Sequence, residues 1–256
     1  MVFLTAQPAH SPVRIAFFSG LCYTFLIISW WEAADMAAQK GICYIVGAMP
    51  LEAELVPVPS QDDLLIAADG GFAALSGLGL TPHLVVGDFD SLGHVPDHPN
   101  LHVLPCVKDD TDMAHAVDHA LTLGYTRFVL LGGMGGRLDH TIANLQLLGH
   151  IAARGGIGIL AGQGHGATAL CSGSFTFPSG MSGYCSVFCQ SGQAEGVTLE
   201  GLKYTLNRAT LTETIPLGVS NEFLGVPARI SVEEGVLLVI WQLQGRLSDL
   251  LPELLG

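Results

Sequence analysis

Between residue 41 and about residue 160, short and wholly apolar runs alternate with stretches of helical periodicity. The runs cover 42–46, 64–68, 84–86, 128–131 and 157–160. None alternates with polar residues, and each stops at a glycine, an aspartate or a turn. That pattern predicts strands buried on both faces of a parallel sheet. Helices are predicted over 71–78, 112–123 and 139–153. Ala114, Val117, Ala120 and Leu121 mark one face of the second, and Ile142, Leu145, Leu148 and Ile151 one face of the third. Strand–helix alternation of this kind predicts an α/β N-terminal domain with a mainly parallel open sheet and right-handed crossovers. Near GQGHG at 162–166 the texture changes: Gly, Ser and Thr rise and helical periodicity stops. Short runs follow at 176–177, 186–188, 197–199, 228–232 and 236–241, which predicts an all-β C-terminal sandwich. The domains are therefore expected at 36–163 and 164–256.

The first 35 residues stand apart. After a single Arg14, the stretch IAFFSGLCYTFLIISWW at 15–31 carries no charge. It is at the short end for a membrane span, and no clean small-residue cleavage site follows it. The expected reading is a start assigned too early. Met36 and AAQKGICYIVGAMP would then open a strand-first domain; a membrane anchor and a packed segment are the alternatives.

Composition narrows the chemistry. With 49% hydrophobic and 13% charged residues the chain can bury a core and is not disordered. A net charge of -13 argues against nucleic acid as a partner. A nucleotide substrate stays possible, because a metal ion can stand between carboxylates and a polyphosphate. The six cysteines form no C-x-x-C pair, so they read as buried thiols of a reducing cytoplasm. Cys185 and Cys189 read as strand residues, since a tetrahedral zinc site would need two more ligands nearby.

Ligands of open α/β sheets bind beyond the carboxyl ends of the strands, and three predicted strands end in chemically loaded turns. They are Asp69-Gly70-Gly71, then Gly87-Asp88-Phe89-Asp90-Ser91, then the run GGMGGRLDH at 132–140. A further acidic cluster, Lys108-Asp109-Asp110-Thr111-Asp112, precedes a helix. Asp and Gly are ordinary turn residues, but three such turns on one sheet edge suggest a site. On an extended stretch Asp88 and Asp90 would point the same way, a two-carboxylate claw for Mg²⁺ that Asp112 could complete. Asp90 or Ser91 could equally be a cap, and Thr111 and Asp112 a cap and first helical turn. The glycine-rich run could present backbone N–H groups to phosphate, with Arg137 as a fork of donors. It is neither a P-loop nor a dinucleotide fingerprint. His115 and His119 read as a solvated helix face, whereas His140 is a pocket candidate.

In this order, AADGG (67–71), GDFDS (87–91), KDDTD (108–112), GGRLDHTIAN (135–144), GVTLEGLKYTLNRATL (196–211) and GVSNEF (218–223) resemble the bacterial thiamine pyrophosphokinases, over about 41–242. The resemblance implies transfer of the pyrophosphoryl group of ATP to the hydroxyl of thiamine, with release of AMP. It implies Mg²⁺ on Asp88, Asp90 and Asp112, with Arg137 on the polyphosphate as a fourth catalytic group. Asp69, Gly70, Ser91, Asp109, Thr111 and Arg137 are assigned to ATP, and Asp139, His140, Asn144, Ser220 and Asn221 to thiamine. Asp109 or Asp110 could accept the hydroxyl proton. Residues 201–204 and 218–223 are expected as turns, with Tyr204 and Phe223 as aromatic faces for the thiamine cation. A cytoplasmic homodimer with thiamine between subunits is implied, with no nucleic acid and no membrane unless the N-terminal segment is real. A pyrophosphokinase acting on a pterin alcohol and a non-catalytic thiamine or nucleotide sensor stay open as alternatives.

Overall fold

A computed structural model describes residues 40–90, 93–105 and 110–255. The apolar N-terminal stretch and Met36 lie outside the described residues, as do Ser91, Asp109, Cys22 and Cys106. Strand β1 (Cys43–Val46) is followed by a short 3-10 turn (Ala53–Leu55), β2 (Leu64–Ala68), helix α1 (Gly71–Gly77), β3 (Leu84–Gly87) and β4 (Leu101–Val103). Then come α2 (Asp112–Thr122), β5 (Arg127–Leu131), α3 (Leu138–Ala153) and β6 (Ile157–Gly162). All six strands pair in parallel, in the order β4-β3-β2-β1-β5-β6. The chain runs outward from β1 through β4, then returns to β1's other flank. The switch point therefore lies between β1 and β5, where open α/β sheets form their ligand crevice.

The remaining strands are β7 (His165–Cys171), β8 (Ser174–Phe177), β9 (Tyr184–Cys189), β10 (Gln193–Glu200), β11 (Leu206–Thr212), β12 (Gly218–Glu222), β13 (Ala228–Ser231) and β14 (Val236–Gln242). β7 pairs antiparallel with β6, so the sheet runs on through the position of the expected boundary and continues β7-β14-β9-β12. The result is a ten-stranded sheet, parallel first and then antiparallel, beside a four-stranded sheet of order β11-β10-β13-β8. Phe177 and Trp241, both fully buried, meet edge-to-face at 5.1 Å between the C-terminal strands. The other core holds Ile45, Ile66, Phe128 and Leu130 together with Val117 of α2 and Leu148 and Ile151 of α3.

Four features depart from the sequence expectation. β4 is short and mostly exposed, too brief for a periodic signal. Residues 218–222, expected as a turn, form an edge strand with a register break at its middle. A C-terminal helix α4 (Leu247–Leu255) follows the β region and buries Leu247, Leu251, Leu254 and Leu255. Its apolar spacing is helical, but the run is short and Pro252 interrupts it. The expectation of buried thiols fails at Cys171, which is exposed; Cys43, Cys185 and Cys189 are buried, and burial pushes the Cys185 thiol up to about 12.

Candidate active site

The site grows from the carboxyl ends of the parallel strands. Asp69 follows β2 with a left-handed backbone (φ 47), which aspartate tolerates better than most residues. Gly71 starts α1 so close to β1 that a Cβ there would fall 1.8 Å from the Val46 carbonyl oxygen. Glycine is what lets α1 pack its first turn against β1 and hold Asp69 at the sheet edge. Asp88 follows β3, and Asp112 opens α2. Carboxylate oxygens of Asp69, Asp88 and Asp112 lie within 4.8 Å of one another, and all three side chains are half-buried.

Asp90 is not part of this cluster. The claw geometry required an extended 88–90 segment, but Phe89 takes φ 58 and buries its ring in the core, 2% exposed. The turn sends Asp90 outward, where its backbone N–H donates to Asp88 Oδ1 at 3.2 Å. Asp69, expected only at ATP, takes the third place. Thr111 acts locally, since its Oγ1 accepts from the Ala114 N–H at 3.2 Å and caps α2.

The glycine-rich run joins β5 to α3. Gly132, Gly135 and Gly136 all take left-handed φ, and Gly132 packs backbone to backbone against Gly47 at the switch point. The Met49 N–H donates to the Gly132 carbonyl at 3.1 Å, and Met134 is buried in the core. Arg137 is the N-cap of α3 and its side chain is 71% exposed. Its guanidinium donates to both oxygens of Asp139, at 3.1 and 2.5 Å. That hydrogen-bonded fork holds the Asp139 carboxyl down at about 2. An open pocket of about 430 Å³ is elsewhere. His83, Leu84, Asn100, Leu101, His102 and His119 line it at the amino ends of the strands, away from the aspartates. His119 is half-buried and packs edge-on against His102 at 4.8 Å, so it is not the solvated face expected.

Residues 57–159 match the family described as thiamin pyrophosphokinase, catalytic domain, and residues 175–237 match its vitamin B1 binding domain. The thiamine pyrophosphokinase of Bacillus subtilis (strain 168) is 30% identical over 209 residues, 76% of this chain and 94% of that protein. The chain belongs to the thiamine pyrophosphokinase family. The crystal structure of the Bacillus subtilis family member superposes with a TM-score of 0.70 at 28% identity, over 80% of this chain and all of that one. The thiamin pyrophosphokinase from Geobacillus thermodenitrificans gives 0.67 at 30% identity, over 80% and 98%. The acidic cluster and the glycine-rich loop fall inside the catalytic match.

The vitamin B1 binding match contains the second group of candidate residues. Asn221 is 3% exposed, and its Oδ1 accepts from the N–H groups of Tyr204 and Glu222, each at 2.9 Å. Its Nδ2 donates to the Tyr204 carbonyl at 2.6 Å. Asn221 thus clamps the 201–204 loop to β12 and does not offer the free acceptor expected of it. Ser220 is exposed at the register break with φ 60, and its N–H donates to Ser186 Oγ at 3.1 Å. Phe223 is buried against Phe177 at 5.0 Å, so it does not present the expected aromatic face. Tyr204 is 60% exposed, and the Lys203 ammonium stands 5.5 Å from its ring centre. Asn144, also expected at thiamine, is 5% exposed, and its Nδ2 donates to the Gly133 carbonyl at 2.8 Å. His140 is exposed, and its backbone N–H donates to Asp139 Oδ1.

Proposed function

We propose that this chain is a thiamine pyrophosphokinase, transferring the pyrophosphoryl group of ATP to the thiamine hydroxyl and releasing AMP. The observation that carries the reading is the convergence of Asp69, Asp88 and Asp112 beside the glycine-rich loop. Like charges so gathered oppose one another, and a hard divalent cation offsets them. Three carboxylates offer the oxygen donors Mg²⁺ prefers. Asp69, Asp88 and Asp112 would hold Mg²⁺, and Asp69 takes the place that the motif alone gave to Asp90. When bound, the ion would neutralise charge on the phosphate oxygens.

The rest of the chemistry belongs to the chain. Arg137 turns from Asp139 to the polyphosphate and fixes its orientation through paired hydrogen bonds. The thiamine hydroxyl oxygen forms a bond to the β-phosphorus, and the bond from that phosphorus to the α–β bridging oxygen breaks with AMP as the leaving group. The hydroxyl proton passes to a carboxylate of the 109–110 pair or to water. Alignment and charge neutralisation do most of the work in such a transfer.

The α/β part, 36–163, serves ATP, and the β part, 164–256, serves thiamine. Ser220 supplies an exposed hydroxyl, and Tyr204 an exposed ring of which one face is already approached by the Lys203 ammonium at 5.5 Å. Ile215, Leu217, Val219, Leu224 and Val226 leave an exposed apolar stretch around the open edge strand β12. A second copy of the chain covering it gives a homodimer with the thiamine site at the interface. We place the protein in the cytoplasm on its free thiols and its family; among the described residues no helix is long and apolar enough to cross a membrane. Measuring AMP release with Mg²⁺ and ATP, in parallel with thiamine and with a hydroxymethyl pterin, tests the activity. Release with thiamine alone is expected; release with the pterin alone would overturn the substrate, and release with neither would overturn the enzyme reading.

A further inference from the structure

Resting on that reading of the glycine-rich loop as the phosphate side of the site, we propose that Thr141 and Asn144 are positioning residues that set the loop and, through it, Arg137. Thr141 is in none of the substrate-binding sets considered above. A glycine-rich loop has a large conformational entropy to lose, because left-handed and right-handed backbones are both open to it. Such a loop presents donors in one geometry only if something fastens it. Here Met49 holds the start of the loop at Gly132, and the other fastenings come from the helix that follows.

The Thr141 hydroxyl accepts from the Gly135 N–H at 3.2 Å and donates to the Arg137 carbonyl at 3.3 Å. One side chain thus closes the turn from Gly135 to Arg137, across the two left-handed glycines at φ 86 and φ 63. Three residues on, and so on the same face of α3, Asn144 reaches the Gly133 carbonyl from its buried position. A threonine hydroxyl bonding four residues back is common within helices and tells little by itself. The bond from Gly135, six residues back and outside the helix, is not helical geometry, and Asn144 adds a second tie to the same loop. Arg137 has no side-chain cap of its own, and its partner Asp139 is as exposed as it is. The backbone path through Thr141 is therefore what sets where the guanidinium begins.

Thr141→Val keeps the shape and removes the hydroxyl; Thr141→Ser keeps the hydroxyl. Two lost hydrogen bonds predict a rise in the KM for ATP of about tenfold in Thr141→Val, with the KM for thiamine within about twofold of the parent. Thr141→Ser should return the ATP KM to within about twofold. Amide exchange measured on the same proteins reads the loop directly. In Thr141→Val, and more strongly in Asn144→Leu, peptides covering 132–137 should exchange faster while those covering 145–153 keep the parent rate. Unchanged loop exchange in Thr141→Val would overturn the proposal, as would an equal rise in both KM values. If the parent chain releases no AMP at all, the enzyme reading falls, and the exchange comparison still decides whether these residues hold the loop.

Discussion

The motif aspartates and the motif asparagines of this molecule behave in opposite ways. Asp69, Asp88 and Asp112 come from three separate segments and converge on one another at the sheet's carboxyl edge. Asn144 and Asn221 are buried and spend their amides on backbone groups of neighbouring loops. Both kinds stand in the segments that carry the family resemblance. Acidic oxygens gathered at one place are a donor set that suits a divalent cation, whereas an amide with donor and acceptor can satisfy the backbone of a loop without any ligand. Placement in a motif therefore does not separate a residue that touches substrate from one that holds the residue that does.

The largest effect that could break this contrast is at the aspartates. Asp88→Asn and Asp112→Asn should each lower AMP formation by on the order of 10³-fold or more if, as proposed, each removes a metal ligand worth several kcal/mol in the transition state. Circular dichroism should stay that of the parent. Near-parental turnover at saturating Mg²⁺ in both would dissolve the metal cluster as an account. At the asparagines the expected effect is on the fold first. Asn221→Ala leaves the Tyr204 and Glu222 amides without their acceptor, a cost of about 1–3 kcal/mol. Its thermal midpoint should fall by about 2–12 °C, whereas Ser220→Ala should stay within about 1 °C. Equal midpoints in the two variants would mean the clamp is not what Asn221 does.

Much of the α/β part was legible because buried parallel strands leave an unmistakable trace: 64–68 is a strand over its whole predicted length, and the three helices begin within one residue of prediction. What failed, failed for local reasons. The claw reading of Asp88 and Asp90 rested on extended backbone, and nothing in GDFDS announces that Phe89 will turn left-handed to bury its ring. Asp69 became a cluster member through strand order, which puts β2 and β3 side by side; spacing along the chain cannot report that. β12 was read as a turn because Gly, Val, Ser and Asn lack a clear alternation, and its register break removes what periodicity there was. The roles of Asn144 and Asn221 needed coordinates, because an amide reads the same whether it faces a substrate or a carbonyl.

Smaller effects sharpen the same contrast. Arg137 and Asp139 pair on the surface, where such bridges stabilise little. Arg137→Ala should therefore leave the thermal midpoint within about 1 °C while raising the ATP KM by about tenfold or more. A fall in stability without a change in KM would make Arg137 a structural residue. The smallest effect belongs to the other end of the sheet. Burial and the neighbouring His102 hold His119 below the ordinary histidine value. A group that takes up a proton less readily when folded than when unfolded loses stability as pH falls. The thermal midpoint should thus drop as pH falls through the region below about 6.5, and His119→Asn should make that drop shallower without changing turnover at pH 7.5. An unaltered pH slope in the variant would remove His119 from the account.

The central claim is that Asp69 completes the cation site and that Asp90, turned outward by Phe89, does not. The most direct test is AMP release by Asp69→Asn and Asp90→Asn, measured across a Mg²⁺ titration with ATP and thiamine saturating. The account predicts that Asp69→Asn loses activity on the scale of Asp88→Asn and is the more damaging of the two, with any residual turnover needing more Mg²⁺. Near-parental activity and Mg²⁺ dependence in Asp69→Asn, with activity abolished in Asp90→Asn, would contradict it.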